Sequence, residues 1–140
     1  MKKIVKRVIL DANILINYCS SLEETHNKIN DIFLWVEKDK IIVFLPDLAF
    51  YELIYNLKKQ EQAKKLLEFL EFLIESPNVF TYKMDNKEFI DITKISLDYN
   101  LTTYDSSYLF LSLATWYEVI TMDKRFYNSV SEYYENVVLI

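Results

Sequence analysis

Val5-Lys6-Arg7-Val8-Ile9-Leu10-Asp11-Ala12-Asn13-Ile14-Leu15-Ile16-Asn17-Tyr18-Cys19 reads as a strand running straight into a helix. Val5 to Leu10 is β-branched and apolar enough for a buried strand, and Asp11 ends it. Asn13 to Cys19 follows as a short helix. The alternation then repeats along the chain. Ser21-Leu22-Glu23-Glu24 forms a capping box, with Ile29, Ile32, Phe33 and Val36 at helical spacing behind it. Ile41 to Leu45 is a second strand, closed by Pro46, and Asp47 caps a helix to Lys59. A further helix, Glu61 to Ile74, carries the stripe Leu66, Leu67, Leu70, Leu73 and Ile74 until Pro77-Asn78 breaks it. Val79 to Tyr82 is a strand, and Asp85-Asn86-Lys87-Glu88 is a second capping box for a helix to Tyr99. Asp105 to Tyr117 is helical, and Val119 to Met122 and Val137 to Ile140 are strands. Strands alternating with helices predict an α/β fold, a three-layer α/β/α sandwich on a mainly parallel central sheet. No repeat or linker interrupts residues 1–140, so a single domain is expected.

Composition narrows the chemistry. Apolar residues make up 51% and charged residues 26% of the chain, a globular balance. One cysteine, Cys19, excludes an internal disulfide and suits a reducing, cytoplasmic setting. Charge interrupts Met1 to Arg7 before a signal-peptide core could form, and the uncharged stretch Ser106 to Tyr117 is too short to span a bilayer. The net charge of −5 argues against non-specific coating of a duplex. Residues 1–70 hold 11 basic and 10 acidic side chains, and residues 71–140 hold 5 and 11, so a polyanion would have to be met by local patches. Lys2/Lys3/Lys6/Arg7 and Lys58/Lys59/Lys64/Lys65 are such patches, each also explained as a solvated face. His26, the only histidine, reads as a surface residue at a helix start, which excludes a histidine pair and a zinc site of Cys and His ligands. Glycine is absent, so there is no phosphate-cradling Gly-rich loop. Left-handed positions fall to other residues, and Asn78, Asn86, Asn100, Asn128 and Asn136 stand where elements should end or turn.

Carboxylates are what remains for chemistry. In an open parallel sheet the ligand crevice lies beyond the carboxyl ends of the strands. Asp11 and Asp123 both fall there, although Asp11 could simply cap the next helix and Asp123 could hold a turn. Glu52 lies in Leu48-Ala49-Phe50-Tyr51-Glu52-Leu53-Ile54-Tyr55, apolar nearly all round, as in a helix packed on several sides. It shares a narrow polar stripe with Asn56 and Lys59, which either faces water or buries the acid at the crevice. Asp105 opens a helix whose Tyr108 and Ser112 share its side, and an N-cap role accounts for it equally well. Together, carboxylates converging on one crevice repel one another unless a cation neutralises them. Oxygen donors without His or Cys select a hard ion, Mg²⁺ or Mn²⁺, and such a site supports hydrolytic cleavage of a phosphodiester.

The order and setting of these residues resemble the PIN domain family, and more narrowly the VapC-type toxin ribonucleases of toxin–antitoxin pairs. The motifs that carry the likeness are Val8-Ile9-Leu10-Asp11-Ala12-Asn13, Glu52 in mid-helix after Pro46-Asp47, Thr103-Tyr104-Asp105 with Tyr108 and Ala114, and Thr121-Met122-Asp123-Lys124-Arg125-Phe126. The resemblance spans essentially the whole chain. It implies a metal-dependent endoribonuclease using Mg²⁺ or Mn²⁺ that leaves a 5′-phosphate and a 3′-hydroxyl. By position Asp11, Glu52, Asp105 and Asp123 correspond to the acidic metal-binding and catalytic set, with Asn13 and Thr121 in support. Asp11 and Asp105 would hold the principal ion, Glu52 would orient water or share the ion, and Asp123 would sit at the rim. Lys124 and Arg125 are the nearest phosphate contacts for an RNA substrate. An antitoxin protein and a homodimer are the implied partners, with no membrane.

Three other readings compete. An aspartate-based phosphatase also places its nucleophile after a first strand, but wants a second acid where Asn13 stands. A PIN-like module that binds RNA or protein without cutting would have little use for mutually repulsive acids. A purely structural reading makes all four acids caps and surface groups that never meet.

Overall fold

The computed structural model describes residues 4–20 and 27–140. The Ser21 to Glu24 capping box, His26, Lys2 and Lys3 therefore lie outside the described residues. The elements run β1 (Lys6–Leu10), α1 (Ala12–Cys19), α2 (Asn27–Glu37), β2 (Ile41–Pro46), α3 (Leu48–Lys59), α4 (Ala63–Glu75), β3 (Val79–Tyr82), α5 (Asn86–Tyr99), α6 (Thr103–Thr115), β4 (Glu118–Thr121), α7 (Lys124–Val130) and β5 (Val137–Leu139). The five strands form one sheet in the order β3-β2-β1-β4-β5, and every neighbouring pair is parallel. β1 is central: Val8 stands beside Val43 of β2, and Ile9 beside Val119 of β4. Val8, Ile9 and Leu10 are buried without alternation, as expected of a strand covered on both faces. Right-handed crossovers put α1 to α4 on one face and α5 and α6 on the other. In agreement, α1 packs on α2, α3 and α4, while α6 lies on β1, β2 and β4 with α5 outside it. Among the described residues no helix is long and apolar enough to cross a membrane.

Local chemistry explains most boundaries. The Asp85/Glu88 box forms as expected, each side chain accepting from the other residue's backbone N–H. Asp47 does not cap α3: its side chain makes no cap hydrogen bond and instead accepts from Met84 N at 3.5 Å. α6 begins earlier than expected, because Thr102 is the N-cap and accepts from Asp105 N. Asp123 holds the start of a helix, α7, where a turn is expected from the sequence; Phe126 and Val130, four apart, bury its inner face. α3 is less enclosed than its apolar sequence suggests, since only Ala49, Leu53 and Leu57 are buried and Tyr51, Ile54 and Tyr55 are exposed. On α4 the buried row is Leu66, Phe69 and Leu73, with Leu67 and Ile74 exposed, because Phe69 joins a cluster with Tyr18, Phe33 and Phe72.

Among the described residues the left-handed positions are Asp39, Glu61, Asn100 and Trp116. Of the five asparagines suited to that region only Asn100 occupies it. Asn78 instead donates from Nδ2 to Val36 O and Asp39 Oδ1, at 2.8 and 2.7 Å, bracing the left-handed Asp39 from outside. Trp116 ends α6 at φ 64°, with its ring 74% exposed. A bulky residue bears strain there that glycine would not. Trp116→Gly should therefore leave the fold intact and raise stability by about 1 kcal/mol, read as a higher urea midpoint with an unchanged slope.

Candidate active site

Strand order reverses at β1, whose two neighbours come from different halves of the chain, and the carboxyl ends of β1 and β4 open there into the crevice expected of such sheets. Asp11 leaves β1 at this point, its N–H continuing the pairing by donating to Ile120 O at 3.0 Å. The side chain is 2% exposed. Its Oδ1 accepts from Asn13 N at 3.4 Å, and its Oδ2 accepts from the Thr121 hydroxyl at 2.7 Å. Thr121 is itself fully buried and uses its remaining capacity, accepting from Asn13 Nδ2 at 3.5 Å and from Asp123 N at 3.0 Å. Asn13 Oδ1 takes Met122 N at 3.4 Å. The β1 and β4 ends are thus stitched by side chains that also hold Asp11 and Asp123 in place.

The other two acids arrive from helices. Glu52, half-buried on α3, turns inward toward Tyr108 of α6, whose hydroxyl lies 3.4 Å from its Oε2. Asn56 bonds the backbone carbonyl of Glu52 at 2.9 Å. Asp105 sits in the first turn of α6, half-buried, its backbone N–H held by Thr102 Oγ1 at 3.1 Å. Asp123 accepts from Arg125 N and Phe126 N through Oδ1, at 2.8 and 3.2 Å. Asp11 and Asp123 are therefore helix caps and members of the acidic group at once, whereas Asp105 is capped by another residue. Asp105 and Asp123 share with Asn100, Thr102, Arg125 and Ser129 the lining of a cavity of about 260 Å³. Lys124 and Arg125 are exposed beside it. The basic cluster at the start of the chain is poorly placed for this crevice: Lys6 lies at the amino end of β1 and pairs with Glu118 at 3.2 Å.

Electrostatics show what the arrangement costs. Burial pushes the Asp11 carboxyl up to about 7, against the hydrogen bond from Thr121, and the charges of Asp105 and Asp123 raise it further. Glu52 is pushed up to about 8 by burial, then by Asp11 and Asp105, its hydrogen bond with Tyr108 offsetting part of the rise. Asp105 rises to about 6 through burial and the Asp123 charge, partly offset by Thr102 and by Arg125. The four acids lie within electrostatic reach of one another. Among the described residues, however, no three His, Cys, Asp or Glu side chains form a ready-made metal cage. Such an oxygen-only set suits an ion of the Mg²⁺ kind, which takes one or two carboxylates and completes its shell with water and substrate phosphate.

Sequence reasoning placed Tyr108 on the Asp105 side of its helix without giving its hydroxyl a role, and passed over Thr102. Tyr108 lies one turn after Asp105 on an apolar helix, where an aromatic looks like packing; Thr102, three residues before Asp105, carries an N-cap signal.

A family model described as PIN domain matches residues 8–129. No curated protein sequence matches. Among solved structures, a toxin–antitoxin complex from Klebsiella pneumoniae is similar at TM-score 0.65 and 16% identity, covering 94% of this chain and 95% of that one. A Pyrobaculum aerophilum protein is similar at TM-score 0.61 and 16% identity, over 89% of this chain and 79% of that one. FitAcB from Neisseria gonorrhoeae is similar at TM-score 0.58 and 13% identity, over 89% and 93%.

The raised acids give the metal-free protein a definite pH dependence. Unfolded, these carboxyls ionise near 3.8 and 4.5; folded, they ionise near 6, 7 and 8. Below about pH 3 the groups are protonated in both states and cost nothing. As pH rises toward 8 the unfolded chain releases protons first, so stability falls and then levels off. In chelator, the melting temperature should drop steadily from pH 5 to pH 8, and Asp11→Asn should flatten that slope.

Proposed function

This chain belongs to the PIN domain family, and from that membership we propose that it is a metal-dependent endoribonuclease, the toxin of a toxin–antitoxin pair. PIN domains are generally nucleases and typically use divalent metals. The observation that supports the proposal is that four carboxylates, from the ends of β1 and β4 and from α3 and α6, lie within electrostatic reach of one another where strand order reverses. Three of them are driven toward protonation by burial and by one another, a cost that a cation removes.

Asp11 and Asp105 hold the principal Mg²⁺ or Mn²⁺ ion, Glu52 orients water or shares the ion, and Asp123 stands at the rim. When bound, the ion activates water and stabilises the departing oxygen. Asn13 and Thr121 keep Asp11 aimed by hydrogen bonds to its carboxylate and to each other. Lys124 and Arg125 meet the phosphates of an RNA strand entering over α7, and cleavage leaves a 5′-phosphate and a 3′-hydroxyl. The Klebsiella complex supports an antitoxin partner. A homodimer in the cytoplasm completes the reading, as does a single domain over residues 1–140. The lack of a ready-made cage favours one rival, a PIN-like module that binds RNA or protein without cutting.

Thermal denaturation with Mn²⁺ or Mg²⁺ separates the two. Saturating ion should raise the wild-type melting temperature, by about 2.7 kcal/mol of stabilisation at a hundredfold excess over Kd. Asp105→Asn should abolish that rise, melt higher than wild type in chelator, and cut the rate on end-labelled RNA by at least about a hundredfold. No response to millimolar ion, with or without RNA, together with intact RNA, would establish the non-cutting module.

A further inference from the structure

Tyr108 is the largest fully buried side chain of the fold, and its hydroxyl is committed at both ends. It accepts from the Ala12 backbone N–H at 3.1 Å and donates to Glu52 Oε2 at 3.4 Å. A phenol has a single proton. With Ala12 N–H filling an acceptor position, that proton is directed at Glu52. Ala12 directly follows Asp11, and Asp105 lies one helical turn before Tyr108 on α6, so one oxygen atom joins the three segments that carry Asp11, Glu52 and Asp105. Packing alone asks only for the ring, since phenylalanine fills nearly the same volume; the hydroxyl serves the acids. Among the described residues no hydrogen bond falls on the second Glu52 oxygen, Oε1.

We propose that Tyr108 is a positioning residue for the divalent-cation site, holding one oxygen of Glu52 against the backbone behind Asp11 so that the other is presented to the ion. The inference rests on the metal-dependent reading above. Its specific content is that the ion's affinity depends on a hydroxyl that never touches it, as outer hydrogen-bond partners of metal ligands commonly require.

The test is calorimetric titration of the full chain with Mn²⁺, without RNA, for wild type, Tyr108→Phe and Ser112→Ala. Ser112 is the control: it is equally buried on α6 and also loses hydrogen bonds, to Tyr117 O and the Tyr134 hydroxyl, at the carboxyl end of the helix, two turns along from Asp105. Tyr108→Phe should weaken Mn²⁺ binding about tenfold or more, and on RNA it should lower kcat with KM little changed. Ser112→Ala should lower the melting temperature and leave Mn²⁺ affinity alone. Wild-type affinity in Tyr108→Phe overturns the inference and leaves the metal reading standing, whereas no Mn²⁺ binding by wild type overturns both. A crystal of wild type soaked in Mn²⁺ gives an answer that needs no variant. Tyr108 Oη at hydrogen-bond distance from Glu52, with the other carboxylate oxygen toward the ion, supports the role; Glu52 swung away from Tyr108 ends it.

Discussion

Asp11 is a carboxylate placed almost out of reach of water at the end of the central strand, with other carboxylates rather than a base for company. Burying negative charge in this way is the constraint to which the surrounding structure answers. Each oxygen of Asp11 is given a donor, and the main donor, Thr121, spends its whole hydroxyl on the task by serving Asp11, Asn13 and the backbone of Asp123 together. Hydrogen bonding lowers the cost of the charge without cancelling it, which is why the group still titrates near 7. A proton or a cation removes the rest of the cost.

The sheet makes this arrangement geometrically economical. An all-parallel order with β1 at the reversal gives two adjacent strand ends with a gap beyond them, and two of the acids are supplied by backbone that must turn there anyway. Both double as caps, so their positions are set by local hydrogen bonds as well as by the site. The helical acids are held differently. Glu52 is aimed by a tyrosine from another helix, and Asp105 by the threonine that starts its own. Among the described residues the one cation that eases any of the raised acids is Arg125, acting on Asp105 from the rim, where it also faces the cavity beside α7.

Much of this was readable in advance, and the failures have physical causes. The apolar run before Asp11 and the alternation of strands and helices sufficed for the layered parallel fold, because two-sided burial leaves a mark on composition. The four acids were legible from their places after strands and within apolar helices. Tyr108 was legible as a neighbour of Asp105, but the use of its hydroxyl was not, since a buried aromatic on an apolar helix has the same appearance whether or not its hydroxyl is used. Helix α7 was missed because Asp123-Lys124-Arg125 signals a turn as strongly as a cap, and only Phe126 and Val130 decide for the helix. The left-handed positions were misassigned because tertiary bracing overrides preference: Asn78 holds the Asp39 side chain, and Asn136 Nδ2 donates to Trp116 O.

The bond between Asp11 and Thr121 joins residues 110 apart in the chain. Closing so long a loop is slow, and the β1–β4 pairing it belongs to cannot begin until most of the chain exists. Until that pairing forms, Thr121 and Asp123 cannot meet Asp11. The crevice comes into being only when the last third of the chain docks, and the electrostatic penalty is incurred at that moment and not before. Whatever chemistry the crevice performs switches on as an event late in folding, timed by the order in which the strands leave the ribosome.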